Sequence, residues 1–183
     1  PTPTLALPAA ILLLAAVLVF AAPARAAEPG DLRVQRTVIL ANLDNPWDLA
    51  FAPDGTLFFT EKCRGLSGRT PDGTVRHLFG ASGAAVVADD LFCQGQSGML
   101  GLALDPAFAD NRRLYLFMAS KLDGQPANRV VRLQVDAANT TVRDRTDIVT
   151  DIPFKPSFNR WGRAGAHSGG RLRFSPKDGF HSC

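Results

Sequence analysis

His167 is the side chain of this 183-residue sequence best suited by type and setting to move a proton. It stands between Ala166 and Ser168, ahead of Gly169 and Gly170, and Arg171 then opens an alternating run through Leu172, Arg173 and Phe174. That pattern predicts an exposed loop entering a strand. Histidine changes charge near neutral pH, so a ring nitrogen on such a loop can accept a proton under working conditions. The two glycines would let backbone approach a flat ligand closely. A second candidate, Gln96, lies in Cys93-Gln94-Gly95-Gln96-Ser97-Gly98-Met99-Leu100-Gly101, where glycines flank an amide just before an apolar strand. An amide offers donor and acceptor together, which suits sugar hydroxyls. Each residue also reads as an ordinary solvated loop residue when taken alone.

The elements that must position them are short strands. Asn45-Pro46-Trp47 bends the chain into Asp48-Leu49-Ala50-Phe51, and a Pro53-Asp54-Gly55 turn leads to Thr56-Leu57-Phe58-Phe59-Thr60-Glu61, a predicted hairpin. Val38-Ile39-Leu40 precedes it as a further expected strand, and a second turn, Pro71-Asp72-Gly73, leads to Val75-Arg76-His77-Leu78-Phe79. One phrase recurs: Leu49-Ala50-Phe51-Ala52-Pro53, Leu102-Ala103-Leu104-Asp105-Pro106 and Leu172-Arg173-Phe174-Ser175-Pro176, offset by 53 and then 70 residues. Strands at 114–118, 129–135 and 146–152 fill the interval, 81–88 reads as a small insertion and 125–128 as a plain loop. No segment shows helical periodicity. Four-strand repeats at this spacing predict the blades of a β-propeller, with a β-sandwich as the competing all-β arrangement. Loops entering the first strand of each blade point to the central axis, so Gln96 and His167 are expected to converge on one ligand.

Composition excludes some partners. The formal charge of +3 comes from scattered basic residues with no run of like charge, which gives nucleic acid no footprint. Residues 5–22 are almost wholly apolar and end in Pro23-Ala24-Arg25-Ala26, so 1–26 reads as a secretory signal peptide rather than a membrane anchor. The mature domain then runs from 27 to 183 with no stable membrane span, and a periplasmic or secreted location is expected. In that oxidising setting Cys63 and Cys93 could pair, for roughly 3 kcal/mol, or remain two thiols. Asn139-Thr140-Thr141 fits the glycosylation acceptor pattern.

Taken together, Asn45-Pro46-Trp47 with Pro53-Asp54-Gly55 and Thr60-Glu61, then Gly95 to Gly101 with Asp105-Pro106-Ala107-Phe108, then His167 to Leu172, resemble the glucose/sorbosone dehydrogenase family. These are soluble quinoprotein sugar dehydrogenases that carry pyrroloquinoline quinone (PQQ) on a six-bladed β-propeller. The resemblance implies that about two blades and the start of a third are present, and that the enzyme oxidises the anomeric carbon of an aldose or sorbosone-like sugar by hydride transfer to PQQ. It implies His167 as the base and Gln96 as a sugar contact; residue size suggests Gly169 and Gly170 beside the quinone. No metal ligand is assigned in this chain, calcium being expected in the further blades along with the cofactor's cationic contacts. Ala166 stands where glucose oxidisers carry an acidic residue, which leaves the sugar open. The fragment by itself is expected to be inactive. The competing readings are a calcium-dependent hydrolase of the lactonase type and a non-catalytic exported propeller that binds carbohydrate or protein.

Overall fold

A computed structural model describes residues 34–122, 124–156 and 164–175, together with the backbone of 179–182. The leader expected at 1–26 lies outside the described residues. Val38–Cys183 form one unit; 34–37, in the preceding unit, carry no regular secondary structure.

Strands are the main regular structure of the described chain. β1 (Pro46–Phe51), β2 (Leu57–Glu61), β3 (Gly65–Arg69) and β4 (Val75–Gly80) form an antiparallel meander, and β5 (Val86–Val87) adds in parallel to β4. A second meander follows from β6 (Met99–Leu104), β7 (Arg113–Leu122), β8 (Gln125–Val135) and β9 (Val142–Ile152), with one helical turn, α1 (Phe108–Asn111), between β6 and β7. A third begins with β10 (Leu172–Ser175) paired to β11 (Gly179–Ser182). The repeated phrase falls on β1, β6 and β10, the first strand of each sheet. β6 packs against β1 and β2, and β10 against β6 and β7. Two meanders and the opening hairpin of a third, stacked through their first strands, make this an all-β, partial β-propeller.

Side-chain alternation explains the stacking. Along β7, Leu114, Leu116 and Met118 face a core shared with Phe58, Leu66, Leu78 and Phe79 of the first sheet, while Phe117 joins Leu100, Ala103, Val130 and Leu172 on the opposite face. A strand rise with period two sends neighbours to opposite faces, so a middle sheet buried on both faces needs apolar residues at successive positions. Met99–Leu104 (MLGLAL) has that composition.

Three local expectations are corrected. Val38-Ile39-Leu40 forms no strand, and Val38 and Ile39 are exposed at 64% and 48%. The strand that the first sheet has in its place is β3, Gly65–Arg69 (GLSGR), whose apolar content gives little strand signal. Residues 125–128 are not a plain loop: they start β8, which pairs with β7 from Leu122↔Gln125 onward. Residues 81–88 likewise include β5.

An ion-pair network braces the outer part of the second sheet. The Arg145 guanidinium donates from both terminal nitrogens to Asp90, at 2.7 Å each, and Ser120 donates its hydroxyl to the same carboxylate. Burial pushes the Asp90 carboxyl up, but the Arg145 and Ser120 hydrogen bonds with the Arg145 charge outweigh it and hold the group below the usual carboxylate range. A folded-state value below the unfolded one of about 3.9 stabilises at higher pH, and that stability is lost as pH falls from about 4 through the folded value. Asp90→Asn should therefore flatten the acid limb of the unfolding free energy against pH below about pH 4. An acid limb of unchanged slope would contradict this assignment.

Candidate active site

Two interlocked loops build the site. The first, residues 93–98, is held to the end of β2 by a Cys63–Cys93 disulfide with Cα atoms 5.3 Å apart. Closing a loop of this separation stabilises by about 3–4 kcal/mol on the chain-entropy account. Within the loop the Ser97 hydroxyl donates to the Gln94 carbonyl at 2.6 Å, and the Lys62 ammonium donates to the Gly95 carbonyl at 2.7 Å. The second loop, residues 164–170, precedes β10. Gly165 is positioned by close approach, since a Cβ there would come within 2.4 Å of the Ser97 Cβ, and its φ of +67° favours glycine independently.

The loops meet through polar atoms. The Gln96 backbone N–H donates to the Ala164 carbonyl at 3.2 Å, and the His167 backbone N–H donates to the Gln96 side-chain Oε1 at 3.0 Å. That bond leaves the Gln96 amide NH2 as a donor. His167 has φ +63°, a left-handed conformation in which histidine and asparagine are enriched among non-glycine residues, and its side chain is exposed.

Beside the pair lies a cavity of about 390 Å³ lined by Asn45, Pro46, Trp47, Lys62, Gly95, Gln96, Ser168 and Gly169. Lys62 is the one charged residue in that lining. Ser168 is buried, and its hydroxyl has no hydrogen-bond partner among the described residues. The structure thus brings Gln96, His167 and Gly169 together, while Gly170 is turned to packing: a Cβ on it would reach 2.2 Å from the Phe117 ring. Lys62, Trp47 and Ser168 are lining residues whose type alone does not mark them in the sequence; the signal is that Trp47 closes the Asn45-Pro46-Trp47 phrase, Lys62 follows Thr60-Glu61 and Ser168 follows His167. Among the described residues no group of three or more His, Cys, Asp or Glu lies together as a metal site. Nor is any described helix long and apolar enough to cross a membrane.

The sequence model of glucose/sorbosone dehydrogenases matches residues 43–181, which include both loops and every residue of the cavity lining. The chain belongs to the glucose/sorbosone dehydrogenase family. An aldose sugar dehydrogenase, YliI, of Escherichia coli (strain K12) is 31% identical over 157 residues, covering 82% of this chain and 37% of that protein. The quinoprotein glucose dehydrogenase B of Acinetobacter calcoaceticus is 27% identical over 162 residues, covering 84% and 31%. Among solved structures, the PQQ-bound form of an aldose sugar dehydrogenase from Streptomyces coelicolor superposes with a TM-score of 0.60 at 24% identity, covering 79% of this chain and 38% of that one. This family member spans about a third of the length of those curated relatives.

Proposed function

We propose that this chain forms the first blades of an exported quinoprotein dehydrogenase that oxidises an aldose or sorbosone-like sugar at its anomeric carbon. Family membership supports a sugar dehydrogenase, and the observation that carries the finer reading is the Gln96 to His167 bond at the edge of a cavity. The residues present fit a flat, carboxylate-bearing quinone. Lys62 gives the cavity wall a cation, the Ser168 hydroxyl is a buried donor with no partner among the described residues, and nothing lies within 4 Å of a Cβ built on Gly169. Lys62 and Ser168 would hold such a group, with Gly169 leaving room beside it. Bound PQQ supplies the acceptor for the hydride from the anomeric carbon.

The chain's own residues do the rest. The exposed His167 imidazole takes the proton of the anomeric hydroxyl, and Gln96, with Oε1 committed to the His167 backbone, turns its NH2 towards a sugar oxygen. The left-handed backbone at His167 restricts which residues can replace it without strain. His167→Asn is therefore the conformation-matched variant and His167→Ala the simple truncation.

The test is PQQ-dependent dye reduction with a panel of aldoses by the whole protein that carries this chain. General-base catalysis contributes about 100-fold or more, so both variants should lose at least that factor in turnover, with the conformation-matched Asn variant keeping the parent's stability to within about 0.5 kcal/mol. Unchanged turnover in the Asn variant would remove His167 from the chemistry. Calcium, the periplasmic or secreted location and the leader belong to this same reading. Removal of calcium with a chelator, followed by the same assay, tests the first of them.

A further inference from the structure

We propose that Lys62 is a positioning residue for His167, acting through the loop of residues 93–98. The proposal rests on the reading of His167 as the base only for its functional meaning; the physical coupling stands on the hydrogen bonds alone.

The end of β2 is fixed from several sides. The Glu61 carboxylate accepts the Asp44 N–H at 2.7 Å, the Lys62 N–H donates to the Asn45 carbonyl at 3.1 Å, and the Lys62 carbonyl accepts the Met99 N–H at 2.8 Å. Cys63 follows, in its disulfide to Cys93. The Lys62 side chain therefore leaves from a rigid backbone, and half-buried it spends one of its three ammonium donors on the Gly95 carbonyl at 2.7 Å. Gln96 is the next residue. Its backbone N–H is bound to the Ala164 carbonyl and its Oε1 receives the His167 N–H. An unbroken path runs from a cation on one blade, through a single loop, to the His167 backbone in the loop that precedes β10. A charge-assisted bond is stronger than a neutral one, so Lys62 sets where the Gly95 carbonyl sits and hence where Gln96 presents its side chain.

This coupling has a readout independent of enzyme activity. The His167 amide lies on an exposed residue and is protected by Gln96 Oε1, so its hydrogen exchange reports the bond directly. In Lys62→Met, His167 amide exchange is expected to accelerate about tenfold, to the level given by Gln96→Ala, consistent with loss of one hydrogen bond. Over the same interval the Met99 amide, bound to the Lys62 carbonyl rather than its side chain, should keep the parent's protection. Lys62→Arg, which retains a cationic donor, should restore slow exchange at His167. Exchange at His167 that is unchanged in Lys62→Met, or that accelerates only in step with Met99, would overturn the proposal, as would Gln96→Ala leaving His167 protected. Failure of the dye-reduction assay leaves this exchange result intact, so the two readings fail separately.

Discussion

Gly101→Ala is expected to detach β10 from the second sheet. Gly101 lies in the middle of β6, and a Cβ built on it would sit 1.8 Å from the Gly170 carbonyl oxygen, 2.8 Å from its carbon and 3.1 Å from the Leu172 nitrogen. All three are backbone atoms, so no rotamer change relieves the contact; one strand must move by more than an ångström. Overpacking a well-filled core ordinarily costs about 1–3 kcal/mol, and a clash with backbone belongs at the top of that range or above it. The obstruction has a mirror. Gly170, at φ +153°, would place its Cβ 2.2–2.4 Å from three atoms of the Phe117 ring, so both sides of this contact require glycine. Because Ser168 and Gly169 lead directly into it, the movement would carry the His167 loop away from Gln96. Urea unfolding should show Gly101→Ala less stable by about 3 kcal/mol or more, with new proteolytic cleavage between 164 and 175. Gly169→Ala, with open space around its Cβ, is the control and should change the unfolding free energy by less than about 0.5 kcal/mol. A parent-like midpoint for Gly101→Ala would mean that the two strands do not approach as described.

The parts of this arrangement that were legible in the sequence are those governed by local chemistry. Pro53-Asp54-Gly55 makes a tight turn whatever surrounds it: the Ala52 carbonyl accepts the Gly55 N–H at 2.9 Å and Asp54 caps the Thr56 N–H at 2.9 Å. The phrase that runs into this turn therefore matches Leu102-Ala103-Leu104 and Leu172-Arg173-Phe174, and the three copies fall on the first strands of three sheets. Gly65–Arg69 was not legible because its signal is tertiary. Gly65 is required by the neighbouring strand, since at φ +116° a Cβ there would stand 2.2 Å from the Phe79 carbonyl oxygen, and no pattern within the segment records that. Val38-Ile39-Leu40 shows the converse, a run apolar enough for a strand in a stretch that forms none. In the site, residue type pointed to Gln96 and His167, but their link runs through the His167 backbone across 71 positions, which composition cannot express. Gly170 illustrates the same limit: its smallness is accounted for by Phe117, a residue on a different strand. Lys62 escaped notice because a lysine after a strand is ordinarily a solvated end residue, and only the Gly95 carbonyl gives it a fixed place.

Asp48→Ala should be the most damaging loss of a single side chain at the junction of the three sheets. One buried carboxylate there serves β1, β6 and β10 together. Its Oδ1 accepts the Leu49 N–H at 3.0 Å and its Oδ2 the Leu102 N–H at 3.2 Å, while Arg171 and Arg173 donate to it at 3.1–3.2 Å. The two contributions differ greatly in size. The arginine side chains are 55% and 52% exposed, so on losing Asp48 they return to water, and each pair is worth about 0–1 kcal/mol. The Leu102 N–H cannot do so, because Leu102 is fully buried in the core between the first two sheets; leaving such a donor unsatisfied costs about 1–3 kcal/mol. With the smaller Leu49 bond added, the expected destabilisation is about 3 kcal/mol for Asp48→Ala, against no more than about 1 kcal/mol for Arg171→Ala or Arg173→Ala alone. Asp48→Asn separates the two effects. It keeps one side-chain oxygen for a backbone N–H while removing the charge, and should fall between the alanine variant and the arginine variants in denaturant midpoint. If Asp48→Ala costs no more than the two arginine substitutions combined, the carboxylate holds the sheets through charge alone. The buried Leu102 bond would then contribute nothing to the junction that carries the His167 loop.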